Sequence, residues 1–198
     1  MRDDLAYRVD TRWSGLKDRF TLKLEGAVGE ANRERITENW MFTGKYDRFQ
    51  TGDYYWGIAA SVEQDRFADL DLRAALGPYL GRRFFDDTPF MLEVETGISQ
   101  IREEFGSAED RDYVGLTWSV RSESNYLGED SRLYLDHTGV RNLADRASTI
   151  LNTTLGFAFP ILGNIEGAAE VVLNYNSGAV ENTAELDETY RFRLGYAW

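Results

Sequence analysis

Tyr190-Arg191-Phe192-Arg193-Leu194-Gly195-Tyr196-Ala197-Trp198 closes the chain. Tyr190, Phe192, Leu194, Tyr196 and Trp198 take every second position, and Arg191, Arg193, Gly195 and Ala197 fill the places between. A period of two is the signature of a strand with one oily face and one that is not. Working back, Ile165, Gly167, Ala169, Val171, Leu173 and Tyr175 alternate with Glu166, Glu170 and Asn174. Leu151, Thr153, Leu155, Phe157 and Phe159 alternate with Asn152, Thr154, Gly156 and Ala158. Further upstream the same rhythm runs through Val114–Val120, Phe90–Ile98, Leu72–Leu80, Tyr54–Val62, Phe20–Val28 and Leu5–Trp13. Weaker segments near Ile36–Tyr46 and Arg132–His137 keep the phase and bring the expectation to eleven strands, organised as one domain over residues 1–198.

The less oily face decides the solvent. In a soluble sandwich it meets water while the apolar face points inward. Here it is rich in Gly, Ala, Ser and Thr and carries both signs of charge: Arg8, Asp10, Arg12, Lys23, Glu25, Lys45, Glu63, Arg73, Glu93, Glu95, Arg121, Glu123, Glu166, Glu170, Arg191 and Arg193. Small residues mixed with opposed charges suit a narrow wet lumen. All five tryptophans (Trp13, Trp40, Trp56, Trp118 and Trp198) share the oily face and are assigned to an aromatic girdle at the lipid–water boundary. Strands of about 10 residues or more cross a hydrocarbon layer when tilted. The fold class expected is therefore all-β: an antiparallel, up-and-down transmembrane β-barrel.

Composition agrees and removes other classes. The chain has 198 residues, 42% hydrophobic and 14% aromatic, which is too apolar for a disordered polymer. No run approaches the roughly 18 uncharged apolar residues of a membrane helix. The absence of cysteine removes disulfide scaffolds and thiolate chemistry. A net charge of −12 argues against nucleic acid as a partner.

Connectors give a direction. Short turns near Ser14–Arg19, Phe49–Asp53, Phe85–Pro89, Leu127–Ser131 and Pro160–Asn164 alternate with longer polar ones at Gly29–Arg35, Gln64–Asp71, Glu103–Asp112, Gly139–Ala147 and Asn176–Thr189. That alternation places the short set in the periplasm and the long set outside, as in bacterial outer-membrane barrels. The first strand then starts outside, and even strand numbers imply a twelfth strand N-terminal to this chain.

Several stretches resemble the bacterial family known as domain of unknown function 481, the salt-induced outer-membrane proteins. They are Glu63-Gln64-Asp65-Arg66-Phe67-Ala68-Asp69-Leu70-Asp71-Leu72-Arg73 with the glycines Gly77 and Gly81, Leu173-Asn174-Tyr175-Asn176-Ser177, and Leu194-Gly195-Tyr196-Ala197-Trp198. The resemblance spans roughly Arg8 to Trp198. Two departures stand out: the family's opening strand with a Gly-Asn pair is missing, and Asn176–Thr189 has no proline. The resemblance implies a Gram-negative outer-membrane barrel of unestablished biochemical role and supplies no catalytic residues.

The candidate site residues are of three kinds. Arg73, Glu93, Glu95, Arg121, Glu166, Glu170, Arg191 and Arg193 are expected to form a charge ladder in the lumen, because a paired carboxylate is far less costly to take out of water than a lone one. The tryptophans form the girdle. Tyr190, Phe192, Leu194, Tyr196 and Trp198 resemble the signal read by the barrel assembly machinery. His137 is expected on the lipid side near the outer end of its strand, close to Asp112, with no serine in reach for nucleophilic chemistry. The acidic clusters Glu103-Glu104 with Glu109-Asp110-Asp112, and Asp65-Asp69-Asp71, do not match a calcium-loop spacing and are expected to be solvated surface loops. No cofactor or metal site is expected, and the partners expected are outer-membrane lipid, lipopolysaccharide and the assembly machinery. The function expected is a non-enzymatic envelope protein with a narrow or plugged lumen and a structural or stress-adaptive role. The alternatives are a small-solute or ion channel and, more remotely, a lipid-modifying enzyme.

Overall fold

The computed structural model describes residues 2–31, 34–85, 89–128, 130–145, 148–178 and 184–196. Eleven strands are found among them: β1 (Arg2–Ser14), β2 (Asp18–Ala31), β3 (Glu34–Phe49), β4 (Tyr54–Asp65), β5 (Leu70–Phe85), β6 (Phe90–Phe105), β7 (Arg111–Ser124), β8 (Arg132–Asn142), β9 (Thr149–Leu162), β10 (Ile165–Asn176) and β11 (Leu186–Tyr196). One 3-10 turn, Arg66–Ala68, precedes β5. Each strand is hydrogen-bonded to the next in chain order, the up-and-down arrangement expected from the alternation.

The chain forms two compact units. One is built mainly on Met1–Leu80 and Gly97–Gly115, the other on Gly81–Thr96, Leu116–Ala179 and Ala184–Trp198. In the first, antiparallel ladders set Trp13 opposite Phe20, Phe20 opposite Tyr46, and Arg48 opposite Trp56. Phe20 and Tyr46 lie 4.9 Å apart by ring centroid, and Tyr46 meets Trp56 edge-on at 6.2 Å. A belt of rings thus crosses β1–β4 at the end that carries their turns. In the second unit Ala168 sits between Ala158 and Arg193, which fixes the register of β9, β10 and β11.

Both units have the same inversion of burial. Leu80, Leu155 and Phe192 are 66%, 48% and 88% exposed, whereas Asp47, Glu103 and Glu170 are 0%, 2% and 5% exposed. Exposed large apolar side chains in such numbers need an apolar medium around them. The alternate positions therefore divide as the sequence pattern requires, with oil outward and charge on the sheltered face.

Two readings of the connectors are corrected. Glu103 lies within β6, since that strand runs to Phe105 before the chain turns. The regular alternation of short and long connectors is also lost: residues 125–131 separate β7 from β8, whereas β2 ends at Ala31 and β3 resumes at Glu34. Charged residues such as Glu30, Arg35 and Arg102 continue the ladders past the oily stretch, because pairing requires only backbone groups and water solvates the side chains.

Glycine is required where strands press closest. A Cβ on Gly77 would lie 1.9 Å from the Ile98 carbonyl oxygen and 2.6 Å from the Ser99 Cα, both main-chain atoms unable to rotate away. Gly52 has nothing within 4 Å of the same position. Gly77→Ala is expected to destabilise the fold by about 2 kcal/mol, and Gly52→Ala to leave it unchanged. Urea unfolding of the lipid-reconstituted protein, followed by tryptophan fluorescence, measures the difference.

Candidate functional site

The charged residues of the sheltered face form networks. In the first unit Arg73 on β5 binds Glu63 on β4 at 3.0 Å and Glu103 on β6 at 2.7 Å. The Tyr113 hydroxyl donates to the same Glu103 carboxylate at 3.2 Å. Arg19 on β2 binds the fully buried Asp47 on β3 at 2.5 Å through Nε. Its guanidinium stands 4.9 Å from the Tyr55 ring centroid and 5.3 Å from that of Phe49, while Lys45 stands 4.6 Å from that of Tyr79. Aromatic faces and a carboxylate together replace the water these cations give up.

In the second unit Arg121 on β7 binds Glu123 at 2.6 Å and reaches Asp136 on β8 at 3.8 Å. Arg132 on β8 links Glu123 at 3.5 Å to Glu166 on β10 at 3.4 Å. Arg193 on β11 binds Glu170 on β10 and donates to the Tyr134 hydroxyl on β8 at 3.0 Å; that hydroxyl in turn donates to Glu170.

One local device recurs in both units. The Tyr79 hydroxyl on β5 donates to Asp47 on β3, crossing β4, and the Tyr134 hydroxyl on β8 donates to Glu170 on β10, crossing β9. In each case the strand beneath carries glycine: a Cβ on Gly57 would lie 2.5 Å from the Tyr79 ring, and one on Gly156 would lie 2.2 Å from that of Tyr134. Arginine completes each quartet, Arg19 with Asp47 and Arg193 with Glu170. The strand order is Arg-Asp-Gly-Tyr over β2–β5 and Tyr-Gly-Glu-Arg over β8–β11. Ala158 and Ala168 pack on Tyr134 and leave its ring room to lie flat.

The structure distributes the expected ladder as follows. Arg73, Arg121, Glu166, Glu170 and Arg193 stand in the networks just described. Glu93 and Glu95 are buried on the same face of β6. Arg191 stands directly across from Glu170, whose carboxylate is held by Arg193 and Tyr134 instead. Sequence reasoning missed Glu103, assigned to a surface loop although it continues the phase of Glu93 and Glu95. It also missed the tyrosines, whose bodies are oily and whose hydroxyls serve the polar face.

Other side chains need relocation. His137 is mid-strand in β8, away from any rim: its Nε2 accepts from the Trp118 indole at 3.1 Å and its Nδ1 contacts the Thr153 hydroxyl at 2.9 Å. Asp112 bonds Gln100 instead. Trp13 and Trp56 sit near strand ends as a girdle requires, but Trp118 and Trp40 lie further in. Their indole N–H groups find protein acceptors, His137 and, at 2.8 Å, Gln64, so they do not need interfacial water. Trp198 falls outside the described residues, as does the Tyr196 side chain. Tyr190, Phe192 and Leu194 point from β11 on the oily side as expected. Asp65 caps the 3-10 turn by accepting from the Phe67 and Ala68 amides, and Asp69 accepts from the Ser107 amide and hydroxyl.

A family model described as "Protein of unknown function, DUF481" matches residues 2–198, and the chain belongs to that family. No curated protein matches it. A solved structure titled "NanC porin structure in rhombohedral crystal form" superposes with a TM-score of 0.60 at 10% identity, over 100% of this chain and 99% of that one. The likeness shows the fold, an antiparallel transmembrane β-barrel of porin type, in agreement with the sequence expectation.

The Tyr134–Glu170–Arg193 arrangement is expected to act as a unit. Tyr134→Phe and Glu170→Gln, alone and combined, are expected to give a coupling energy of about 1–2 kcal/mol in a double-mutant cycle. Unfolding in lipid vesicles measures it, and strict additivity would refute the unit.

Proposed function

We propose that this family member is a bacterial outer-membrane channel for small solutes, non-enzymatic, with the charged face as the lining of its lumen. The observation that carries this reading is where the ion pairs lie. Arg73 with Glu63 and Glu103, Arg121 with Asp136, Arg19 with Asp47 and Arg193 with Glu170 join neighbouring strands, and Arg132 with Glu166 joins strands two apart. Pairs of that span lie along a wall. A plug would need ion pairs that bridge across a lumen, and the pairs named here among the described residues run along the wall, which supports passage over the narrow or plugged envelope role. Arg132 and Glu166 side chains are 39% and 41% exposed, which suits a lining in contact with water. The solved structure named above is a porin by its title, and its fold is shared across the full chain.

The commitments of His137 to Trp118 and Thr153 support a non-enzymatic reading, since both ring nitrogens already have partners. Outer-membrane lipid and lipopolysaccharide are the medium proposed for the oily face. The alternating apolar residues of β11 are proposed as the segment read by the barrel assembly machinery.

The full-length protein in planar bilayers is expected to give stepwise current, altered in size or ion preference by Glu93→Gln or Arg193→Gln. A bilayer that stays silent with correctly folded protein would remove the channel and favour a structural role.

A further inference from the structure

Arg191 and Arg193 occupy the same face of β11, two residues and therefore about 7 Å apart. The ladder puts Arg191 directly opposite Glu170, the natural partner of a guanidinium at that position. Glu170 instead takes the Tyr134 hydroxyl and Arg193, both on one of its oxygens. Arg191 makes no hydrogen bond or ion pair among the described residues. The next acid along β10, Glu166, binds Arg132 at 3.4 Å. Arg193 itself retains a buried Nε that has no partner. Beside this pair Ala168 on β10 and Ala158 and Gly156 on β9 lie beneath the Tyr134 ring, so the ring and the two arginines share one stretch of the sheltered face.

Arg191, beside acids already paired with Arg193 and Arg132, leaves a local excess of one positive charge in a chain whose net charge is −12. We infer that Arg191 and Arg193 form an oxyanion subsite that takes the carboxylate group of a small organic acid. The planar fork of arginine matches a carboxylate through two parallel hydrogen bonds. Arg191 supplies that fork, and the neighbouring Arg193, held by Glu170 and the Tyr134 hydroxyl, adds positive charge beside it. This inference rests on the channel reading for its role as a selectivity element, and the site itself is testable without conduction.

The probe is acetate. In bilayers holding the full-length protein under a potassium acetate gradient, Arg191→Gln is expected to lower the acetate-to-potassium permeability ratio several-fold, about tenfold if one charge-assisted pair is lost. Arg191→Lys, which keeps the charge and loses the fork, is expected to fall between. In parallel, saturation-transfer NMR with labelled acetate on the purified wild type is expected to give a signal that Arg191→Gln removes. If the ratio and the NMR signal are unchanged in a conducting Arg191→Gln protein, the subsite is overturned and the channel stands. If the wild type is silent in bilayers but binds acetate through Arg191, the channel falls and the subsite stands. A silent bilayer with no acetate signal overturns both.

Discussion

A carboxylate cut off from water has to be matched by a cation and by donors for each of its oxygens, and the side chains of one strand rarely suffice. Asp47 and Glu170 meet that demand by drawing arginine from a neighbouring strand and a tyrosine hydroxyl from two strands away. The reach depends on glycine in the strand between, because any Cβ there would occupy the ring's place. The charge on the sheltered face therefore dictates the glycines, and the glycines let the rings cover the backbone. Neither half works without the other. A sheet with this polar face can expose its oily face only to lipid, where every backbone donor and acceptor must find a partner within the ladder.

The two quartets, over β2–β5 and over β8–β11, use the same chemistry in opposite strand order. An Arg–carboxylate pair without the tyrosine would leave oxygens under-coordinated in a low-dielectric place, and removing one member of such a pair leaves an uncompensated charge. The third network, around Glu103, does the same work with Arg73 and Tyr113 from adjacent strands, so it needs no glycine bridge. Distance between partners, then, determines where glycine is obligatory.

Period-two alternation made the strands, their faces and their antiparallel order legible from residues such as Tyr190, Phe192 and Leu194 or Glu93 and Glu95. It could not reveal register. Which acid meets which arginine depends on the stagger of neighbouring strands, and shifting Arg191 against Glu170 by two residues leaves the pattern unchanged. Strand ends are hard to read for a related reason: an acidic residue such as Glu103 has the chemistry of a loop, yet a charge is compatible with a strand wherever a partner or water awaits it. Trp118 and His137 depart from the expected rim because amphipathic side chains favour an interface on average, whereas here the indole N–H donates to the imidazole within the sheet. The pattern reports the chemistry of a face, and pairing within that face is set by geometry.

That distinction bears on how so little identity can accompany the same fold. A barrel of this type asks each position only to be oily, small or charged in turn, so two chains with 10% identity can meet the same demand. What a channel of this fold admits is then decided by the few charges its wall leaves unneutralised. Arg73, Arg121 and Arg132 are each held by carboxylates one or two strands away, and their fields are largely cancelled within a few ångströms. A cation such as Arg191, whose opposing acid is bound elsewhere, projects its field into the space beside the wall. Selectivity in such a wall follows from a mismatch between register and pairing more than from the number of charges present.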